Sequence, residues 1–549
     1  MLLNKSRRRQ RGSLLVLTTI AVPVFLVPLV GLGIDATVCY IVQAELSAAV
    51  DGAALGTGRL LSTNANATDI AHEFLNANFR VGQGGFWGAY NLNSTIDVQT
   101  GTTKTVTITA TADVPLIFMR ILGQTHATVA ANAQATRRDA RIELVIDRSG
   151  SMTQPDGGSP PQQVIDDVVQ YAQGFTQQFT EGYDELGLVV YSGSAVVGYP
   201  TTPWPAPQSV TGGGGPDTSF QSGATGANPD MVNQIAAITA GGGTAMGDAL
   251  ALAYIELQKA HMRDLAANGA DTRTNAIVLF TDGVPSATTT YLNRNVSGSS
   301  IISTSAGCNY RVDGTTPTHP MYGYVVLGGS PNYSGNPGGF YELASLDSSH
   351  SSAYYMNHPS ADYIEPSTPW GYTSNTNGCS SSTGWTSMDN ITAIPTKDKY
   401  GYSLGQNGSV GYLASSIVGG SATSIYRTGS GYGAFNPNAT SNLAYQWGLA
   451  GWDEVDNVAE AIRSDSNFSN RTGDSAPMSI TIYTVGYTGN GGTDSGLLSK
   501  IANVQGCKFN GYNCYNNAQP PGLYIQASDK TALANAFSAI ATAILRLAR

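Results

Sequence analysis

Three observations predict an α/β fold, a doubly wound, mostly parallel sheet preceded by a transmembrane helix and a small α+β module. From residue 139 onward, short apolar strands alternate with amphipathic helices, the pattern of βαβ units. Two of those strands end in Asp/Ser/Gly loops, Asp147–Ser151 (DRSGS) and Thr281–Gly283 (TDG). Open α/β sheets place their ligands at that end of the strands. Ahead of all this, an uncharged N-terminal run leads into an Ala-rich helix and three strand-like stretches.

The first element fixes the compartment. Lys5, Arg7, Arg8, Arg9 and Arg11 precede an uncharged run from Gly12 to Ile34. A helix of roughly 20 apolar residues crosses the hydrocarbon layer. Basic residues stay on the cytoplasmic side, so residues 1–35 read as a cytoplasmic tail and single-pass anchor, with the bulk exported. A cleaved signal peptide is the rival reading, although its apolar region is usually only about 7–15 residues long.

Residues 36–138 form the second block. Val38, Ile41, Val42, Ala49, Val50, Ala53 and Ala54 give a helix an apolar stripe. Ser94–Thr100, Lys104–Ala112 and Thr125–Ala133 alternate as strands do. A long helix followed by a small sheet is a pilin-like build. The stretches Arg11–Ser13, Gly31–Asp35, Gln43–Leu55 and Ala112–Gly123 resemble TadG-like subunits of the tight-adherence (Tad/Flp) pilus apparatus. That resemblance implies a bacterial inner-membrane protein with other pilus-assembly subunits as partners. Its processed pilins carry Glu five residues after the cleavage glycine. Counted from Gly12, that position is Leu17, so the cleavage pattern is incomplete.

Residues 139–549 form the third block. Arg141–Ile146 reads as an apolar strand and Gln162–Phe179 as a helix. Strands follow at Gly187–Tyr191 and Ala195–Val197, then helices at Met231–Ile238 and Ala245–Arg263. Asn275–Phe280, Ser479–Val485 and Leu523–Ile525 supply further strands, and Ala532–Leu547 a closing helix. A DxSxS loop alone is weak evidence, since Asp and Ser are common in turns, and Thr244 behind Gly241–Gly243 reads equally well as a helix cap. Together, Asp147, Ser149, Ser151, Thr244 and Asp282 resemble the metal-ion-dependent adhesion site of von Willebrand factor A-type domains. The resemblance implies Mg²⁺, with Mn²⁺ as an alternative, and a partner that brings an acidic group. The residue types suit a hard, oxygen-seeking ion: three neutral hydroxyls and two carboxylates. Asp248, one turn beyond Thr244, reads as a helix-surface residue.

Between the Asp282 strand and a helix at Asp453–Arg463 lies an insertion at about 284–450, dense in Ser, Gly, Asn, Tyr and Thr. It reads either as a recognition subdomain using Tyr, Trp370 and Trp385, or as a low-complexity spacer. Among five cysteines no CxxC occurs. Cys308, Cys379, Cys507 and Cys514 allow three pairings, of which Cys308–Cys379 with Cys507–Cys514 closes the shortest loops; free thiols are the alternative.

Composition excludes some functions. A formal net charge of −10, with 12% charged residues, is unlike the basic surface of a nucleic-acid binder. No HExxH, GxSxG or GxxxxGK[ST] motif occurs, which speaks against an enzyme. Two readings remain: an anchored Tad/Flp subunit that binds a protein or surface ligand through a metal, and a minor structural subunit at a pilus base or tip, capped by its A-type domain.

Overall fold

The computed structural model describes residue 19 and residues 27–61, 66–82, 86–100, 103–156, 161–193, 195–200, 215–221, 230–292, 321–326, 339–344, 443–464, 478–487, 493–509 and 512–547. The basic tail, most of the Gly12–Val27 stretch, Cys308, Cys379, Trp370 and Trp385 lie outside the described residues. The chain divides into two units, one reaching Arg138 and the other starting at Asp139.

The first unit is built on one long helix, α1 (Val27–Leu60), with α2 (Ala67–Asn78) and strands β1 (Tyr90–Thr100), β2 (Thr103–Pro115) and β3 (His126–Arg138). The strands form an antiparallel sheet in the order β1-β2-β3. Every second residue of β2, from Val106 through Ile108, Ala110 and Ala112 to Val114, is buried, as the two-residue strand period requires. They share a core with Val42, Leu46, Ala49, Val50, Ala53 and Ala54 of α1. Those positions recur three or four apart and so lie on one side of the helix. Asn66 caps α2, its Oδ1 accepting the Thr68 N–H at 3.1 Å. A segment of α1, Pro28–Gly58, is long and apolar enough to cross a membrane by length and composition. From Val42 onward, however, its apolar side is spent on the sheet.

The second unit is a mixed α/β domain. Its six-stranded sheet has the order β14-β11-β7-β4-β5-β6, with β4 (Ala140–Asp147), β5 (Glu185–Tyr191), β6 (Ala195–Tyr199), β7 (Thr274–Thr281), β11 (Ile480–Tyr487) and β14 (Tyr524–Ala527). All neighbours are parallel except β5 and β6. Helices α3 (Val164–Thr176), α4 (Met231–Ala236) and α8 (Lys530–Leu547) share one core with Ile142, Leu144 and Ile146 of β4. Helices α5 (Met246–Asn268), α6 (Leu443–Arg463) and α7 (Ser495–Ile501) share the other with Val145. Both faces are covered, so the central strands are buried throughout. This is the fold class the sequence predicts.

Helix boundaries shift from the sequence reading at several places, among them α5, which runs on to Asn268 rather than Arg263, and two shifts have a clear packing cause. Helix α6 starts at Leu443 rather than Asp453, because Ala450 and Trp452 already pack into the core. Helix α3 stops at Thr176, yet Phe179 stays buried, its ring 5.0 Å from that of Phe175. Within the expected insertion, β8 (Ala287–Leu292), β9 (Met321–Val326) and β10 (Gly339–Ala344) form a small antiparallel sheet. Cys507 and Cys514 are joined in a disulfide beside the short β12–β13 hairpin (Lys508–Phe509 and Tyr512–Asn513), with Cα atoms 5.2 Å apart. Cys39 is a free, half-buried thiol.

Candidate metal site

The sheet order puts β4 and β7 side by side, so the loops leaving their carboxyl ends meet. Asp147 closes β4, and Asp282 follows directly on β7. Both are fully buried. A chain of short polar contacts joins them. Ser149 N–H donates to Asp147 Oδ1 at 2.7 Å, Ser149 Oγ lies 3.0 Å from Ser151 Oγ, and Ser151 Oγ donates to Asp282 Oδ1 at 2.6 Å.

Thr244 reaches the same place through backbone pairing. Gly241 N–H donates to the Arg148 carbonyl at 2.6 Å and Gly150 N–H to the Gly242 carbonyl at 2.9 Å, so the Gly241–Thr244 loop is laced to the DxSxS loop. Gly242 has φ +97°, a conformation side chains resist. A Cβ on Gly150 would sit 3.3 Å from the Gly242 oxygen. The glycines therefore let the two loops approach closely, with Thr244, itself buried, next in the chain just ahead of α5.

Electrostatics set this end of the sheet apart. Burial pushes Asp147 up to about 6, against hydrogen bonds from Thr281 and Ser149 that favour its charged form. Burial and repulsion from Asp147 push Asp282 up to about 7. Asp282 Oδ2 is buried and has no hydrogen-bond partner among the described residues. Such an oxygen is costly unless something positive meets it. Three hydroxyl side chains and two destabilised carboxylates fit a hard divalent cation. The described residues contain no group of three or more His, Cys, Asp or Glu side chains placed to hold a metal.

The sequence reading missed three residues that shape the site. Thr281, the first residue of the TDG motif, donates its hydroxyl to Asp147 Oδ2 at 2.7 Å and accepts the Gly283 N–H at 3.1 Å. Its place directly before Asp282 was the available signal. Arg148 donates through Nε to the Thr239 carbonyl at 2.5 Å. Asp248, expected on the helix surface, is instead fully buried. Its Oδ2 accepts the Ala195 N–H at 2.6 Å, tying the β5–β6 turn to the first turn of α5.

Residues 142–284 match the von Willebrand factor type A domain. That match holds both Asp147 and Asp282, and the chain therefore carries a domain of this class. No curated protein matches the chain. Among solved structures it is similar to the PilB minor pilin of Streptococcus sanguinis, at 13% identity over 83% of this chain and 79% of that one, with TM-score 0.31. It is also similar to the von Willebrand domain of the type V pilus tip protein Mfa5 of Porphyromonas gingivalis (16% identity, 76% and 98% covered, TM-score 0.30). A third is the pilus adhesin SpaC of Lactobacillus rhamnosus GG (11%, 84% and 36%, TM-score 0.31). Likenesses at this level assign no function.

Proposed function

We propose that this protein is a membrane-anchored, extracytoplasmic binding subunit that engages an acidic group on a protein or surface ligand through a metal held at Asp147, Ser149, Ser151, Thr244 and Asp282. The observation that carries the reading is the pair of buried, mutually repelling carboxylates with an unpartnered Asp282 oxygen, set among hydroxyls at the carboxyl end of the sheet. In this reading the three hydroxyls supply neutral oxygens, while Asp147 and Asp282 supply the charge. A Mg²⁺ or Mn²⁺ ion held there would offer an open coordination position to a partner's carboxylate. Hydrogen bonds from Thr281 and the Ser149 amide favour the charged form of Asp147 and orient it. The setting we propose is a tight-adherence pilus system, in the bacterial inner membrane with the N-terminus cytoplasmic, on the strength of the N-terminal resemblance. The role is binding rather than catalysis.

Carboxylate-coated and amine-coated beads presented to the full-length protein in detergent test this. Retention on carboxylate beads should require Mg²⁺, vanish with chelator and fall at least about tenfold in Thr244→Ala, the effect of losing one charge-assisted contact. Equal retention with chelator present would rule the mechanism out. A second reading, a minor structural subunit at a pilus base or tip, is favoured by the packing of α1 along a three-stranded sheet. Co-purification with pilus fibres at fixed stoichiometry, unaffected by Thr244→Ala, would favour that reading.

A further inference from the structure

Where α1 leaves the region that the sequence assigns to the membrane, the first unit presents an apolar surface that its own core does not use. On α1, Leu29, Val30, Leu32 and Ile34 are exposed. Beside them, the loop from Leu116 to Gly123 exposes Ile117 (66%), Ile121 (76%) and Leu122 (62%). Exposed isoleucines and leucines gathered at one place mark a surface that meets something apolar.

The loop is fixed to the helix at that point. Asp35, nearly buried, accepts the backbone N–H groups of Ile117 (3.0 Å), Phe118 (3.0 Å) and Met119 (2.8 Å). Gly31 makes room for the Phe118 ring, since a Cβ there would lie 2.4 Å from Phe118 Cβ. The remaining turn satisfies itself: Ile121 N–H donates to the Phe118 carbonyl, Gly123 to Arg120, Gln124 to Met119 and Leu116 to Thr125, each at 3.1 Å. A non-helical segment survives at membrane depth only if its backbone polar groups are met by protein. This loop meets that condition without water at these seven N–H groups.

We infer that the 116–123 loop is a lipid-contacting wedge, resting in the headgroup and upper acyl region of the bilayer beside the anchor helix. The inference rests on the anchor reading above. Continuity selects lipid as the occupant. The uncharged run begun at Gly12 ends at Ile34, on the helical turn whose Asp35 grips the loop. Eight residues on, at Val42, the helix is already inside the protein core. The bilayer surface therefore falls within this short span, level with the wedge. Arg120, exposed between the apolar residues Ile117 and Ile121 of the same loop, suits lipid phosphates. The wedge would fix the tilt and rotation of the first unit on the membrane, which a single helix leaves loose.

The test uses the full chain reconstituted in phosphatidylcholine–phosphatidylglycerol vesicles whose acyl chains are brominated. Ile121→Trp, Val30→Trp and Asp97→Trp each add a tryptophan at an exposed site. Asp97 pairs with Thr107, eight residues up β2 from Pro115, or roughly 26 Å by strand rise. Bromolipid should remove most of the emission added at 30 and at 121, and none of that added at 97. Quenching at 30 but not at 121 would overturn the wedge and leave the anchor standing. Quenching at neither would overturn both. Emission at 121 shielded from bromolipid and from aqueous iodide alike would assign the face to a protein partner, and so contradict the lipid assignment.

Discussion

The two ends of strand β4 treat buried charge in opposite ways. At its amino end, Arg141 is fully buried and completely engaged: Nε to Glu185 at 2.6 Å, Nη2 to Asp264 at 2.6 Å, Nη1 to Asp271 at 2.5 Å and to Asn275 at 3.1 Å. Arg263 adds a 2.7 Å contact to Glu185, and Arg273 pairs with Asp264. Burial alone would raise Asp271, but bonds from His261 and Arg141 hold it down at about 2. At the carboxyl end, Asp147 and Asp282 are just as buried, and both are raised. One end closes its own charge balance. The other leaves two raised carboxylates without a matching positive charge among the described residues, the feature on which the proposed metal site rests.

Breaking the closed end should cost most. Arg141→Ala removes the cation shared by Glu185, Asp264 and Asp271, leaving them only Arg263, Arg273 and His261, and we expect a loss of about 3–5 kcal/mol in chemical denaturation, the usual penalty for breaking a buried ion network. A loss under about 1 kcal/mol would mean that the acids find other partners. The open end should show itself in pH dependence. An unfolded aspartate titrates near ~4, below either site carboxyl. Their contribution is therefore fully present below about pH 4 and is lost as pH rises through about 6 and about 7. Without metal, Asp282→Asn should recover on the order of 2 kcal/mol at neutral pH and flatten that decline. An unchanged profile would break the contrast. Asp271 runs the other way: its stabilisation is full above the unfolded value and is lost as pH falls towards about 2. The smallest effect concerns the middle of the strand. Glu143 is buried without a hydrogen-bond partner for either oxygen among the described residues, and is raised by burial and by Glu256. Glu143→Leu should stabilise by about 1 kcal/mol at neutral pH, measured as a shift in denaturation midpoint.

The fold was legible because its signals are local. Apolar runs such as Arg141–Ile146 and Asn275–Phe280 declare strands, and the stripe through Ile165, Val168, Ala172 and Phe175 declares a helix. The site was legible for a related reason, since its polar residues sit at strand ends and one helix start in a fixed order. What stayed hidden depends on partners far along the chain. Asp248 lies one turn past Thr244 and looks like any helix-surface acid, yet its partner is an amide 53 residues earlier. Arg141 reads as an interruption in an apolar strand until three other elements deliver their acids. The grip of Asp35 on residues 117–119 spans more than 80 residues, beyond the reach of any pattern within a window.

Calorimetric titration of Mg²⁺ into the metal-stripped protein, beside Asp147→Ala, reads the proposed metal site itself. Saturable one-site binding is expected in the parent and none in the variant. The parent should also be stabilised by about 2.7 kcal/mol at a hundredfold excess of ion over Kd. Equal heats in parent and variant, or none in the parent at millimolar ion, would contradict it, and the raised carboxylates of β4 and β7 would then be a cost of the fold rather than a place for a metal.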